Sequence, residues 1–361
     1  MFDQIITALE QGEFARGARL LKAWKEEAPQ DPWLQLALAR YWEATHEFEK
    51  AEGAYRRLLQ QVTNAKLMTQ ARQGIQRVQD EQARQREHLL DVARAQPGAE
   101  APGLLVLEPV QGEVREAAAT GLAQVMRIDP YTARLLLPGQ YWRLYRVGPI
   151  GELQYFCQTL MDHQTPAFCL PVSPLVELSV FRVQYVQTLE PQISIVCQNG
   201  AGQLGSITFD WAEISQWVIG QVPVFESVVD LGPRGHLKRK EVTQDYAEII
   251  DLHLHTRNCV LRLCDRTYTY RESVSFTSEE AEDPSAQIIS RVVWDSLKQL
   301  LSQKVSRSPW SDFSGFGKTA LEFITLLPSI PTHLDLMRRA PSPWDQAFHL
   351  YSSLHFLRCS T

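Results

Sequence analysis

The chain has 361 residues, 44% of them hydrophobic and 22% charged, with 36 basic against 42 acidic side chains and a net charge of −6. This composition suits about two or three globular domains and excludes wholesale disorder or a fibrous class. The acidic balance argues against nucleic acid as the default partner, and no apolar run is long enough to cross ~30 Å of bilayer.

Residues 1–93 are rich in Ala, Leu, Gln, Glu, Lys and Arg, strong helix formers, with almost no Gly or Pro inside the long runs. A period of 34 residues aligns Phe14, Gly17, Leu21, Trp24 and Pro29 with Phe48, Ala51, Tyr55, Leu58 and Thr63. The spacing predicts two antiparallel helix pairs over 2–62 and a longer helix to about 93. Small residues at 17 and 51 allow close helix approach, and the large ones fill the space beside them.

This pattern resembles the tetratricopeptide repeat (TPR), over roughly residues 2–64. Thr63 departs from the proline usual there. The resemblance implies a concave groove for peptides or partner helices, at Phe2, Ile6, Leu9, Trp33, Leu36 and Arg40. These positions are mostly apolar and lack the Lys, Arg and Asn set of a carboxylate clamp. They therefore suit an amphipathic helix, a second copy of the chain, or the chain's own remainder. Trp33 is the expected hot spot. The run from Leu21 to Leu59 is also similar to TPR proteins of cyanobacteria, which implies a cytosolic or thylakoid-surface role.

Residues 94–103 read as a linker rich in Pro, Gly and Ala. Residues 104–172 then predict a small α/β module. Leu104 to Leu107 is a strand, Glu113 to Arg127 a helix, and Asp129-Pro130 a capped start for a short helix. Trp142 to Val147 is a strand, Ile150 to His163 a helix, and Ala167 to Pro171 a last strand. The β-α-α-β-α-β order resembles the C-terminal domain of ribosomal protein L7/L12, which implies helices that serve as protein-contact surfaces.

Residues 178–361 predict a β-rich domain with C-terminal helices. Strands are expected near 180–186, 193–197, 205–209, 222–229, 247–254, 260–264 and 267–270, forming an antiparallel sheet of about six. Asn199-Gly200 marks a hairpin. Ser278 to Pro284 reads as an acidic loop. Helices are expected over 288–305, 319–327 and 343–358, the last with an aromatic stripe read as core. A sheet closed by a C-terminal helix resembles the pleckstrin-homology-like architecture. The whole is a multi-domain α+β chain.

Several motifs invite chemistry. Gly315-Phe316-Gly317-Lys318-Thr319 ends like a phosphate-binding P-loop, but Asp312 stands where the first Gly is required, and no buried strand leads in. A loop at a helix start is expected there. Arg262 and Arg266, with Asp312, Ser314 and Gly317, resemble the two cyclic-di-GMP motifs of PilZ domains, which implies a nucleotide-sensing alternative. His253, His255, Cys259 and Cys264 cluster but fit no zinc spacing, so packed strand residues are expected and no metal. Arg234, His236, Lys238, Arg239 and Lys240 read as a solvated basic loop. No Gly-x-Ser-x-Gly elbow occurs, and no cysteine has a catalytic context. Six sparse cysteines and a start, Met1-Phe2-Asp3-Gln4, unlike a signal peptide point to reduced thiols in a cytoplasm. The expectation is a non-enzymatic adaptor, scaffold or assembly factor without a cofactor, partnered by another protein and not by nucleic acid.

Overall fold

A computed structural model describes residues 1–231, 237–276, 290–338 and 341–358, and for 225–231, 237–242 and 244 the backbone alone. Arg234, His236, the acidic stretch from Ser278 to Pro284 and Cys359 lie outside the described residues. The chain forms two compact units, Met1–Ala95 and Gln96–Thr361.

The first unit is a run of antiparallel packed helices, consistent with helical repeats: α1 (Phe2–Glu10), α2 (Phe14–Glu27), α3 (Pro32–Ala44), α4 (Phe48–Gln61) and α5 (Ala65–Arg94). Asp31 and Asn64 cap α3 and α5 through their side chains. The 34-residue period is kept bond for bond in the turns. Glu13 N donates to Ala8 O, and Glu47 N to Trp42 O, both at 2.8 Å. The left-handed residue of the turn is Gly12 in the first pair and His46 in the second. Small residues act as expected. A side chain at Gly17 would meet Leu9 and Tyr41, and Ala51 is buried with Leu36, Ala39 and Tyr55. Gly74 extends the device to α5, since a Cβ there would lie 2.3 Å from the Tyr55 ring.

The second unit opens with the β-α-α-β-α-β order read from the sequence. Strands β1 (Pro102–Leu107), β2 (Arg143–Pro149) and β3 (Ala167–Pro171) form an antiparallel sheet in the order β2-β1-β3. Helices α6 (Val114–Met126), α7 (Pro130–Leu136) and α8 (Ile150–Asp162) connect them, and α9 (Ser173–Glu177) follows. The stretch expected as a linker turns back instead. Ala99 is buried, and Ala99 O and Ala101 O accept from Gly151 N and Ile150 N.

The larger sheet holds β4 (Ser179–Thr188), β5 (Ile193–Gln198), β6 (Leu204–Phe209), β7 (Gln216–Leu231), β8 (Leu237–Leu254) and β9 (Cys259–Cys264), in the order β6-β5-β4-β9-β8-β7. It is mixed, not wholly antiparallel. Two three-stranded meanders meet where β4 and β9 run parallel, Val180 beside Val260. Hairpin cues are local and carry no signal for that junction. Residues 267–270 are turn rather than strand, fixed by Tyr268 Oη, which accepts from Val186 N at 3.1 Å.

Helix α10 (Ser290–Lys304) covers one face of this sheet through Trp294, Leu297 and Leu301, packed with Leu252, Leu261 and Leu263. Its Trp294 indole and Lys298 ammonium both donate to Glu248, at 2.7 and 2.9 Å. Helices α11 (Phe313–Ala320) and α12 (Pro343–Arg358) lie on the other face. One hydrophobic core joins Leu104, Val106 and Leu144 of the small sheet, Val218, Val222 and Ile249 of the large sheet, and Phe348 and Leu354 of α12. The 104–172 and 178–361 segments therefore share a core. The large sheet is an open array with helices on both faces, C-terminal helices among them.

Candidate functional site

The first unit carries a cleft of ≈ 370 Å³ lined by residues of α1, α3, α4 and α5. Its apolar wall is Ile6, Leu9, Ala44 and Phe48. Glu10, Arg40, Glu43, His46, Arg77, Glu81 and Arg84 supply the polar side. Leu9, Glu43 and Arg77 are spaced by 34 residues and lie on α1, α3 and α5, so the same face of every second helix forms one row.

A fixed ion cluster sits in this row. Arg77 Nε and Nη2 donate to the two Glu43 carboxylate oxygens at 2.6 and 3.1 Å. Tyr55 Oη donates to Glu43 at 2.5 Å, and Arg40 lies 3.7 Å away. Burial favours the protonated Glu43 carboxyl, but hydrogen bonds from Arg77 and Tyr55 and the two arginine charges outweigh it. Its pKa falls below the ordinary carboxylate value. Burial, then the bond to Glu43, pushes the Tyr55 phenol up, and the bond to Glu43 raises Arg77. The cluster is therefore charged at neutral pH and prearranged. Arg84, 74% exposed and 2.7 Å from Glu81, stands in the cleft lining as a cation open to solvent.

Of the six groove positions, Ile6, Leu9 and Arg40 line this cleft. Leu36 is 1% exposed and belongs to the core. Phe2 and Trp33 pack edge to face at 5.2 Å, with the Lys66 ammonium 5.5 Å from the Trp33 ring, away from the cleft lining. The groove is thus less apolar than its sequence suggested. The two-unit period does not reach Arg77, and without it Glu43 has no visible partner. A third 34-residue step into α5 brings Arg77 under Glu43, and Arg84 follows two turns along the same helix.

The nucleotide-sensing set is not assembled as a site by these residues. Arg262 is 2% exposed, forks onto Asp251 at 2.9 and 2.7 Å, and donates to Thr332 O at 2.6 Å. Its guanidinium lies 5.1 Å from the Phe348 ring centroid. Arg266 pairs with Asp245. Asp312 accepts from the Tyr351 hydroxyl, Ser314 is exposed and Gly317 is buried. The expected loop at 312–317 is largely helix α11, and its glycines serve packing. Side chains at Gly315 and Gly317 would collide with Tyr141 at 2.3 Å and Trp344 at 2.6 Å.

The histidines tie α12 to the sheet. Gln216 Nε2 donates to His253 Nδ1 at 2.8 Å, which leaves Nε2–H to donate to Ser352 Oγ at 3.0 Å. His255 Nε2 donates to Phe356 O at 2.8 Å. On α12 itself, His349 donates to Leu175 O at 3.1 Å. The His355 ring stacks against both Trp142 and Trp310, at 3.9 and 4.5 Å, with the two indoles 6.0 Å from each other. Burial pushes His253 and His349 well below their ordinary pKa, and His355 down to about 3. Among the described residues no group of three or more His, Cys, Asp or Glu is placed to hold a metal ion, and no helix is long and apolar enough to cross a membrane.

No protein-family model matches this chain, and none of the curated proteins or solved structures matches it.

Proposed function

We propose that the N-terminal unit is a TPR-type module of a non-enzymatic cytoplasmic adaptor, scaffold or assembly factor, and that its cleft receives an amphipathic helix of a protein partner. The observation that carries this reading is the row Leu9, Glu43 and Arg77, which places one face of α1, α3 and α5 along a single cleft. Ile6, Leu9, Ala44 and Phe48 offer an apolar stripe to the partner helix, and Arg84, whose solvent-exposed pair with Glu81 is exchangeable, offers a cation to an acidic residue beside it. Arg77 and Glu43 neutralise each other, so they fix the wall and leave recognition to the rim. The β-α-α-β-α-β unit adds a second contact face, with Tyr131 and Leu135 of α7 71% and 64% exposed one helical turn apart.

The reading is tested in source cells with a photocrosslinking amino acid at Ile6 and, separately, at Lys22 on the exposed side of α2. A discrete adduct from position 6 and none from position 22 is expected. Equal yields at both positions, or no adduct at position 6, would overturn it.

A further inference from the structure

The six-stranded sheet has two edges, and the chain treats them oppositely. At β7, Trp310 N donates to Trp217 O at 3.1 Å, and Trp310 O accepts from Ile219 N at 2.8 Å. The segment before α11 thus pairs with the start of that edge, around Val218. Strand β6 ends the order on the other side, with Leu204, Gly205, Ser206 and Thr208 exposed. From Ile193 to Phe209 there is no charged side chain and no proline, in a chain that is 22% charged. The β5–β6 register runs without a bulge. Charges, prolines and bulges are the devices that keep sheet edges from pairing, and β6 has none of them.

The hairpin shows which backbone groups face outward. Asn199 N donates to Gln203 O at 3.1 Å, which makes this the hydrogen-bonded pair at the closed end. Antiparallel ladders alternate, so Gly205, Ile207 and Phe209 bond inward to β5. Leu204, Ser206 and Thr208 then present their N–H and C=O groups to the open side. The side chains agree, because non-bonded pairs lie closer together. In the facing pair Ser194–Thr208 the hydroxyl oxygens lie 3.4 Å apart, and Ser206, diagonal to Ser194, brings its Oγ to 3.1 Å.

We propose that β6 pairs with β6 of a second copy of this chain, antiparallel about a two-fold axis at Ser206. Ser206 then faces Ser206 of the other copy, and Leu204 faces Thr208. This register joins the outward groups of both strands. It also keeps Ile207 and Phe209 of both copies on the inner face, as the two-residue strand period requires. The edge suits a copy of itself better than an unrelated peptide, because it holds no charge to orient a foreign strand and none to repel its own image. A two-fold contact needs only such self-complementarity. The inference is independent of the cleft.

Sedimentation of the full chain over a dilution series tests it, with Ser206→Pro as the variant. Proline removes the outward N–H, which the β5 ladder does not use. The wild type is expected to show a concentration-dependent dimer, and Ser206→Pro a monomer with unchanged thermal unfolding. Should Ser206→Pro fail to fold, Ser206→Lys sets two like charges at the axis and abolishes the dimer with the fold intact. A wild type that stays monomeric throughout overturns the proposal and leaves an extended peptide as the occupant of the edge. A dimer that survives either folded variant overturns it as well.

Discussion

The two units use buried polar groups in opposite ways. In the first, Glu43 and Arg77 form a charged pair that lines an open cleft, with the buried Tyr55 hydroxyl bonded to Glu43. In the second, helix α12 lies between two sheets with its histidines uncharged and enclosed. One cluster gains from ionisation. The other requires that its imidazoles stay neutral, because a buried cation there lacks compensation. The difference follows from architecture. Repeat helices bury one face each, whereas a helix enclosed by two sheets is buried all round.

This contrast separates the units most strongly in acid. Histidines held neutral by the fold have depressed folded pKa values, and they titrate in the unfolded chain near 6.5. Stability is therefore full above 6.5 and declines as pH falls below it, by on the order of 4 kcal/mol per pH unit for His253, His349 and His355 together. Glu43 also has a depressed folded pKa, but its ordinary value is 4.5, so its contribution declines only below that. Pulse proteolysis at about pH 5.5, with fragments identified by mass, should degrade the second unit and spare α1–α5. Loss of the first unit before the second would break the comparison.

The next largest effect is expected at the Asp251–Arg262 pair, whose side chains are 0% and 1% exposed. Arg262→Ala leaves a buried carboxylate without its partner and should cost about 3–5 kcal/mol. Hydrogen exchange should show the loss in β8, β9 and α12 while protection in α3 and α4 is kept. A cost under about 1 kcal/mol would mean that the pair is not enclosed as described.

A smaller effect sharpens the account of the repeat unit. Alanine is the better helix former, so Gly74→Ala would by itself stabilise α5 by up to ~1 kcal/mol. The added Cβ would meet the Tyr55 ring at 2.3 Å, and the net outcome is a loss of about 1–3 kcal/mol in chemical denaturation. A gain in stability would contradict the close approach of α4 and α5.

These residues also show what the sequence discloses. Helix spans in the first unit, and strands and helices over 104–171, are legible because each is written in local periodicity and caps, as at Asp129-Pro130. The row through Glu43 and Arg77 is legible in principle, since it repeats the same 34-residue step. The role of α12 is not. Its partners lie at Trp142, His253 and Gln216, more than a hundred residues away or nearly so, and no local pattern encodes them. Glycines 315 and 317 look like a phosphate loop because tight loops and tight helix packing both call for glycine. Only the neighbours Tyr141 and Trp344 distinguish the two.

The most direct test of the cleft as a partner site uses Arg84, which is open to solvent and pairs only with the half-exposed Glu81 among the ion pairs described. Arg84→Glu should leave thermal unfolding unchanged, within about 0.5 kcal/mol. The measurement is the yield of the adduct from the photocrosslinker at Ile6, with and without this substitution. The account predicts a fall of about tenfold, equivalent to ~1.4 kcal/mol of lost affinity. An unchanged yield in a folded Arg84→Glu chain would contradict it.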